Sequence, residues 1–312
     1  MSGTLKKIGK LCRHPIAYYK RFLVRKLDKK SEQYSDEEYI RKHYKIMLNK
    51  KLDLDNPITF NEKLQWLKLN YRFPLLNTMV DKYLVKDYVE KIIGPDYIAK
   101  LYGVWDSFDD IDFESLPNTF VLKETHLSGL VWVCRDKTKE DPKTSKKKFD
   151  DGLKNNYYLH CREWPYKDIK PRIIAEELIM DESHRNLPVY KFFCFNGEPY
   201  LVQTIQNDKQ KNETIDYFDI EWNPLKLKQN FPNSKVKLPK PSKLDEMLEI
   251  CKRLTKGFPF LRCDLYLAND KVYFSEFTFF SDAGFQPFHP KKWDRILGDR
   301  IILPEPRNET KI

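Results

Sequence analysis

The stretch GFPFLRCDLYLANDKVYFSEFTF, residues 257–279, decides the fold because it contains two strand patterns and the turn between them. Apolar and aromatic residues fill both runs, and Asn269 with Asp270 separates them, which is typical of a β-hairpin. One carboxylate stands in each strand, Asp264 in the first and Glu276 in the second. Because burying an unpaired carboxylate costs several kcal/mol, each of them needs a cation or solvent nearby.

The register of this hairpin determines whether the two carboxylates meet. A two-residue loop sets Glu276 opposite Cys263, whereas a three-residue loop sets it opposite Asp264. In the second register two like charges share one face of the sheet, which is unfavourable unless a cation neutralises them. Mg²⁺ suits this pair, since it binds carboxylates together with substrate phosphates. Arg262 has the parity of Asp264 and is expected on the same face, with an ordinary buried ion network as the alternative reading.

The rest of the chain changes character after Gly103. Before it, periodicity and the capping residues Ser35 and Thr59 predict helices, over residues 36–48, 61–69 and 80–93. After it, short apolar runs broken by Gly, Asn, Asp and Pro predict strands, including an Asn-Gly hairpin within residues 191–202. The pattern indicates an α+β or mixed α/β body with antiparallel strands late in the chain.

The net charge of +10 is unevenly distributed over the 312 residues. Residues 1–30 contain ten Lys or Arg against the single Asp28, while the remaining chain has 46 basic and 45 acidic residues. This nearly neutral body argues against a nucleic-acid partner. The basic segment has apolar residues at helical spacing, interrupted at Pro15, and is expected either to contact anionic lipid or to pack on the body as a solvated helix.

Localisation is predicted from what the sequence lacks. No run of 18 apolar residues occurs, and residues 1–30 have no uninterrupted apolar centre of a signal peptide. We therefore expect a cytoplasmic protein, peripheral at the inner membrane face if the basic segment binds lipid. The six cysteines show neither a CxxC pair nor Cys/His metal spacing, so they are expected to be reduced and structural.

Two upstream stretches carry side chains suited to phosphate chemistry. Lys123 ends the strand FVLK and leads into THLSG, residues 125–129, where a cation and backbone N–H groups can meet a nucleotide phosphate. Alone this is a weak motif, since it has one glycine. Glu176 and Glu177 end the strand in RIIAEELIMD, where they would accept hydrogen bonds from an adenine amine or ribose hydroxyls; solvated carboxylates are the alternative for each.

Several long phrases follow one another in a specific order along the chain. They are NPITFNEKLQWLKL (56–69), MVDKYLVKDYV (79–89), LYGVWDSFDDIDFESLPNTFVLK (101–123), REWPYKDIKPRIIAEE (162–177), YKFFCFNGEP (190–199) and residues 257–279. This set resembles the TupA-like branch of the ATP-grasp superfamily, the teichuronopeptide-synthesis type of bacterial capsule and cell-wall gene clusters. The resemblance extends from about residue 35 to 303.

The resemblance implies an α+β ATP-grasp fold in which two α+β subdomains clamp ATP. Such an enzyme phosphorylates a carboxylate, and an amine then attacks the acyl phosphate to form an amide. The expected parts are a basic amphipathic segment, a helical region, the ATP-grasp catalytic region and a tail, over residues 1–34, 35–100, 101–303 and 304–312.

The resemblance also implies roles for individual residues. Lys82 and Lys123 are expected to hold the phosphates of ATP, and Lys123 together with Arg262, which would steady the acyl phosphate, is expected to be catalytic. The phosphate loop supplies further contacts to ATP, from His126, Ser128 and Gly129. The hinge beside the adenine and the strand after it supply Glu176, Glu177 and Lys191. Magnesium ligands are expected at Asp264, Glu276 and Thr278, so that Glu276 would be buried because it bridges metal ions.

Some positions depart from the family pattern. Relatives usually read NHGSGG where this chain has THLSGL, so Leu127 and Leu130 replace residues that keep the phosphate loop open. Thr278 stands where the superfamily commonly has Asn, and residues 207–218 lack the Arg and His that relatives carry. A nucleotide-binding scaffold without turnover is therefore one alternative, and a glycosyltransferase that uses a nucleotide sugar is another.

The leading hypothesis is an ATP- and Mg²⁺-dependent carboxylate–amine ligase. It would join an amino acid or similar small amine, through an amide, to a uronic acid or peptide unit of a surface polysaccharide precursor. Magnesium and the Lys and Arg side chains would supply most of the catalysis, because charge builds on phosphate in such reactions.

Overall fold

A computed structural model describes residues 15–181, 187–208 and 210–309, so the first half of the basic segment lies outside the described residues. The helices are α1 (Pro15–Asp28), α2 (Asp36–Leu48), α3 (Phe60–Asn70), α4 (Pro74–Val80), α5 (Leu84–Ile93), α6 (Lys143–Gly152), α7 (Tyr158–Cys161), α8 (Leu244–Thr255) and α9 (Lys292–Gly298). The strands are β1 (Tyr71–Arg72), β2 (Leu101–Trp105), β3 (Phe120–Glu124), β4 (Val131–Cys134), β5 (Ile173–Glu176), β6 (Val189–Phe195), β7 (Glu198–Gln206), β8 (Thr214–Asp219), β9 (Phe260–Ala268), β10 (Lys271–Thr278) and β11 (Arg307–Asn308). This helical first third followed by antiparallel strands confirms the α+β prediction.

The early helices begin at the predicted caps. Ser35 Oγ accepts a hydrogen bond from the backbone N–H of Glu38, whose carboxylate accepts one from the Ser35 N–H in return. Thr59 and Glu62 form the same reciprocal pair at the start of α3. Each pair satisfies N–H groups that have no partner inside the helix, which fixes where the helix starts.

The helix predicted over residues 80–93 is wrong at its start. The chain instead forms two helices, α4 and α5, separated by residues 81–83. Asp81 causes the break, because its carboxylate accepts hydrogen bonds from the backbone N–H groups of Tyr83 and Leu84, at 2.8 and 3.1 Å. A side chain that accepts these bonds caps a new helix rather than continuing the old one.

A four-stranded antiparallel sheet has the order β2-β5-β3-β4. Its inner face packs against α6 through buried aromatic residues, and the rings of Phe149 and Phe108 lie 5.6 Å apart. Along β3, Phe120 and Leu122 belong to the core beside α6, whereas Val121 and the half-buried Lys123 line the cleft. The strand therefore presents Lys123 on the face away from α6.

A five-stranded antiparallel sheet has the order β10-β9-β6-β7-β8. The predicted Asn-Gly hairpin joins β6 to β7, with positive φ at both Asn196 and Gly197 (52° and 86°), as a type I′ turn requires. Helices α3 and α8 pack on this sheet, and Phe60 meets Phe260 edge-on at 4.9 Å. This is the larger of the hydrophobic cores in the described part of the chain.

Helix α1 is attached to the body by one edge. Leu27 is buried in a small core with Tyr39 and Tyr44 of α2, and the Lys20 ammonium donates to the Met47 carbonyl at 2.6 Å. The opposite side of α1 carries exposed aromatic and basic side chains. Among the described residues, no helix has the length and apolar content needed to span a bilayer. The predicted part boundaries at residues 34, 100 and 303 stay predictions.

Candidate active site

A cleft of about 750 Å³ lies between the two sheets. Strands β3, β4 and β5 form one wall, and β6, β7, β9 and β10 form the other. Its size falls within the roughly 300–1,000 Å³ usual for small-molecule sites. Apolar side chains line much of it, among them Val121, Val133 and Ile179. Polar and charged side chains line the rest, and the cationic ones are Lys82, Lys86, Lys123, Arg135, Lys191 and Arg262. Such a surface suits a ligand with an apolar ring system and an anionic chain.

Most of the predicted site residues meet at this cleft. Those that line it are Lys82, Lys123, Ser128, Gly129, Glu176, Glu177, Lys191, Arg262 and Glu276. Asp264 and Thr278 lie directly behind the cleft wall, hydrogen-bonded to Arg262. His126 does not line the cleft: its ring is buried on the other side of the sheet, with Nε2 3.2 Å from the carbonyl oxygen of Gly152.

A β-bulge brings the two hairpin carboxylates together. The loop between β9 and β10 has two residues, which alone would set Glu276 opposite Cys263. Ser275 is an extra residue that shifts the register, and Glu276 consequently pairs with Asp264. Bulges of this kind re-aim side chains and are frequent beside active sites. The structure thus combines the loop length of one predicted register with the residue pairing of the other.

Asp264 is fully buried and is neutralised by two cations. Arg262 donates from Nε to Oδ1 at 2.7 Å and from Nη2 to Oδ2 at 2.9 Å, and the Lys191 ammonium pairs with Oδ2 as well. Burial acts to raise the pKa of Asp264, but Arg262 and Lys191 outweigh it and hold that pKa below its usual value. Arg262 lies on the same face of the sheet as Asp264, as predicted.

Glu276 is not buried, which corrects the expectation drawn for it. Its side chain is 40% exposed and faces the cleft, with Oε1 3.9 Å from both the Lys191 ammonium and the Arg262 guanidinium. The reason is the bulge, which turns this residue toward the opening between the sheets. The hairpin therefore offers one carboxylate held by protein cations and one that is accessible to a ligand.

The loop between β3 and β4 presents its small residues to the cleft. Ser128 and Gly129 line the cleft, and Gly129 has a φ of 95°, a conformation that side chains strain. Leu127 is buried and Leu130 packs on the aromatic core beside α6. The two leucines that distinguish this loop from its relatives therefore point away from the cleft rather than into it.

Lys82 reaches this loop from the break between α4 and α5. Its ammonium donates to the Leu127 carbonyl, and its backbone N–H donates to the Thr125 carbonyl at 3.2 Å. Burial lowers the pKa of Lys82, while Glu276 acts in the opposite direction. A lysine placed between the loop and the exposed carboxylate is available to a phosphate that enters the cleft.

Glu176 pairs with two lysines of the cleft. Its carboxylate pairs with Lys123 through Oε1 and with Lys86 through Oε2, the latter at 3.0 Å. Burial acts to raise the pKa of Glu176, but Lys123 and Lys86 lower it to about 2. Both oxygens are occupied, so in this state Glu176 positions the lysines, and the solvated alternative is wrong for it. Glu177 follows at the cleft edge, where its backbone N–H donates to the Lys100 carbonyl at 2.9 Å.

Three residues of the cleft were not predicted, although the sequence contains signals for them. Lys86 follows Lys82 by four residues, the spacing that puts side chains on one face of a helical stretch. Arg135 continues the alternation of Val131 and Val133, which also line the cleft. Tyr266 shares the parity of Arg262 and Asp264 in β9. In each case the missed residue follows the periodicity of a predicted neighbour.

The residues of the cleft fit ATP and Mg²⁺ in their chemistry. Within the described ranges, no cluster of three or more His, Cys, Asp or Glu side chains is arranged to hold a metal ion. Asp264 and the accessible Glu276 form a carboxylate pair, and one or two carboxylates with substrate phosphates are the usual magnesium ligands. Thr278 Oγ1 accepts from Arg262 Nη2 at 2.8 Å and so contributes to the same cluster.

Comparisons with known proteins agree with this architecture. The model of the family described as TupA-like ATPgrasp matches residues 62–302. D-alanine–D-alanine ligase from Bacillus anthracis complexed with ATP is 12% identical with a TM-score of 0.38, over 65% of this chain and 55% of that chain. The ATP-grasp ligase PsnB complexed with minimal precursor, Mg and ADP is 10% identical with a TM-score of 0.38, over 70% and 57%. The ADP complex of purK, N5-carboxyaminoimidazole ribonucleotide synthetase, is 14% identical with a TM-score of 0.39, over 70% and 50%.

This chain spans between half and three fifths of the length of those three proteins. No curated protein sequence matches the chain. The family model, by contrast, covers most of it, including the hairpin, the phosphate loop and both walls of the cleft. The protein therefore belongs to the TupA-like ATP-grasp family and has the ATP-grasp fold.

Proposed function

We propose that this protein is an ATP-dependent carboxylate–amine ligase. The observation that carries the proposal is the cleft between the sheets, which combines an apolar part, a row of cations and the accessible carboxylate of Glu276. An adenine ring fits the apolar part, and a triphosphate with Mg²⁺ fits the cations and the carboxylates. The family assignment supports the same kind of reaction.

The position of each residue in the cleft indicates its proposed role. Lys82 and Lys123 would hold phosphate oxygens, together with backbone N–H groups of the loop at Ser128 and Gly129. Glu177 stands at the hinge beside the base. Magnesium, held by Asp264, Glu276 and Thr278, would supply charge neutralisation at the phosphates when bound.

Arg262 and Lys191 would act on the reacting end of the nucleotide. Both cations lie between Asp264 and Glu276, where they would contact the transferred phosphoryl group. Positioned cations of this kind stabilise charge that develops in the transition state. The acyl phosphate formed on the substrate carboxylate is the expected intermediate.

The substrates follow from the family resemblance. We propose a carboxylate on a capsular or cell-wall polysaccharide precursor, of uronic acid or peptide type, and a small amine or amino acid as its partner. The test incubates purified protein with ATP, Mg²⁺, a panel of uronic acids and free amino acids, and follows ADP by chromatography and amides by mass spectrometry. Amide and ADP formed in equal amounts support the ligase, and ADP without any carboxylate dependence contradicts it.

The same assay, repeated with a UDP-sugar, distinguishes the ligase from the glycosyltransferase and from the scaffold. A glycosyltransferase consumes a UDP-sugar and forms no ADP, and a scaffold without turnover binds nucleotide but forms neither product. The position of Leu127 and Leu130 outside the cleft favours turnover over the scaffold, because the substituted loop leaves the phosphate side open. Mass spectrometry of the surface polysaccharide from a strain that lacks the protein would identify the missing substituent.

We also propose a peripheral contact with anionic lipid at the cytoplasmic face of the membrane. In α1 the exposed side holds Tyr18, Tyr19 and Phe22, beside the exposed Arg21 and Arg25. Aromatic side chains at headgroup depth and basic neighbours are the features that bind an interfacial helix to such a surface. Because Leu27 packs on the body, the exposed side of α1 would remain available to lipid while the other side stays attached to the protein.

A further inference from the structure

Helix α5 contacts both walls of the cleft. Its apolar side chains Val85, Val89 and Ile93 are buried in the core of the five-stranded sheet. Its polar side reaches the four-stranded sheet instead, through the ammonium of Lys86. A helix that is held by both sheets fixes how the walls face each other, so the residue that makes its second contact can influence the site between them.

Strand β5 is tied to this helix at both ends of the strand. Just before the strand, Arg172 Nη2 donates to Asp81 Oδ2 at 2.9 Å, and Asp81 is the residue that caps α5. At the strand's last residue, Lys86 Nζ lies 3.0 Å from Glu176 Oε2 and also donates to the Ala99 carbonyl at 3.0 Å. The side chains of Lys86 and Glu176 are 13% and 8% exposed, so salt and solvent screen this ion pair only weakly.

The second oxygen of Glu176 holds Lys123. Glu176 stands opposite Val121 of β3, so Lys123, two residues further along that strand, is its diagonal neighbour on the cleft face. Lys123 Nζ pairs with Oε1 while Lys86 occupies Oε2. The carboxylate therefore connects a lysine of the helix to a lysine of the sheet.

The contact with Lys86 determines what Glu176 can do to Lys123. A buried carboxylate that loses one of its cations is left poorly compensated and attracts the remaining one more strongly. Without Lys86, both oxygens of Glu176 would be available to Lys123, and the flexible lysine side chain would turn toward the carboxylate and away from an anion in the cleft. With Lys86 in place, Glu176 restricts Lys123 through a single oxygen.

We propose that Lys86 is a positioning residue for nucleotide binding, which acts through Glu176 to hold Lys123 where it meets the phosphates of Mg-ATP. The inference rests on the proposed function, which supplies the phosphates, and adds a residue that was not among the expected ATP contacts. Lys86 acts without touching the ligand, since its ammonium is occupied by Glu176 and the Ala99 carbonyl. Lys82 precedes the same helix by two residues, so one helix places both phosphate-binding lysines.

A double-mutant cycle in Mg-ATP affinity tests this relay. Wild-type protein, Lys86→Met, Glu176→Gln and the double variant are titrated with ATP and Mg²⁺ by calorimetry, and urea unfolding of each measures its stability. Lys86→Arg keeps a cation at Glu176. Lys86→Gln is a second neutral variant, which can still donate to the Ala99 carbonyl, in case Lys86→Met unfolds.

The matched control is Arg135→Met, made in the wild-type and Glu176→Gln backgrounds. Arg135 also lines the cleft as a cation, whereas the ion pairs of Glu176 in the described part of the chain are with Lys86 and Lys123. Its removal therefore measures the loss of a positive charge that does not act through Glu176.

The expected result is a non-additive cycle. Lys86→Met raises the Kd of Mg-ATP about tenfold in the wild-type background and less than about twofold in the Glu176→Gln background. Lys86→Arg stays within about twofold of wild type, and Arg135→Met has the same effect in both backgrounds.

Two outcomes overturn the proposal. Equal effects of Lys86→Met in both backgrounds would mean that Lys86 meets the nucleotide directly or acts only through its charge. An unchanged Kd with a lower urea midpoint would mean that the ion pair with Glu176 only stabilises the fold. Wild-type protein that binds no Mg-ATP would contradict the proposed function itself, which distinguishes that failure from a failure of the relay.

Discussion

Asp264 and Glu276 pair across one hairpin but differ in their surroundings. Asp264 is fully buried and shares its oxygens with Arg262 and Lys191, whereas Glu276 is 40% exposed at the cleft. The first carboxylate therefore has a structural task as well as a proposed metal-binding one. The second has no comparable structural partner, since its nearest cations are 3.9 Å away.

This difference predicts two different outcomes for the amide variants. Glu276→Gln is expected to abolish ADP formation and to change the free energy of unfolding by less than about 1 kcal/mol. Asp264→Asn is expected to abolish ADP formation and also to destabilise the fold by about 3–5 kcal/mol, because it leaves buried cations without their counter-ion. Urea unfolding and an ADP assay measure both effects. Turnover near the wild-type level in either variant contradicts the metal assignment.

Glu176 predicts a pH dependence of stability. Its pKa is about 2 in the folded protein against an ordinary value of 4.5, so the folded state favours the ionised form. The stabilisation is fully present above about pH 4.5 and is lost as the pH falls toward 2, and it amounts to about 3 kcal/mol. Urea unfolding of wild type and Glu176→Gln between pH 2 and 7 tests this. If both proteins lose stability in parallel over that range, the two lysines do not hold an ionised Glu176.

At the scale of elements, local signals predicted most of the fold. Ser35 and Thr59 fix the starts of α2 and α3 through capping, and the Asn-Gly turn fixes the hairpin of β6 and β7. The exceptions are single residues that alter an element from within. Asp81 looks like a polar position on a helix but caps a new one, and Ser275 looks like a strand residue but forms a bulge.

These exceptions explain what the sequence could and could not predict of the site. Lys123 and Glu176 were predictable as cleft residues because each lies at the end of a strand with a clear apolar pattern. The exposure of Glu276 could not be predicted, because a bulge has no reliable local sequence signal and depends on how the partner strand pairs. Likewise His126 follows Lys123 in sequence, yet the strand alternation and α6 place its ring on the far side of the sheet.

The break between α4 and α5 predicts a role for Lys82. Lys82→Met is expected to weaken ATP binding by about 1.5–3 kcal/mol, the value of a hydrogen bond to a charged group, while α5 keeps its cap at Asp81. Lys146→Met is the control, since that lysine pairs with acidic residues on the surface of α6 and not in the cleft. Titration calorimetry with ATP and Mg²⁺ compares them. Unchanged affinity in Lys82→Met would remove this lysine from the phosphate site.

On the scale of the whole molecule, the cleft and the excess positive charge are separated along the chain. The cleft is assembled from residues 82–276, whereas the excess positive charge is confined to the first 30 residues. A soluble amide-forming enzyme has no need of such a segment, but an enzyme that acts on lipid-linked glycan intermediates gains from staying near them. The described half of the segment, α1, has an edge that packs on the body and a side that does not.

This arrangement predicts salt-sensitive binding to anionic vesicles. Each basic residue near such a surface contributes about 1 kcal/mol, so Arg21→Gln with Arg25→Gln is expected to lower vesicle affinity by about 2 kcal/mol, roughly thirtyfold. The matched control is Lys147→Gln with Lys148→Gln, two exposed lysines in α6. Flotation of the full chain on vesicles with and without anionic lipid, at low salt and near 1 M, where the Debye length falls to roughly 3 Å, measures the contact. Equal flotation of both double variants, or no dependence on anionic lipid, means that α1 is only a solvated helix packed on the body.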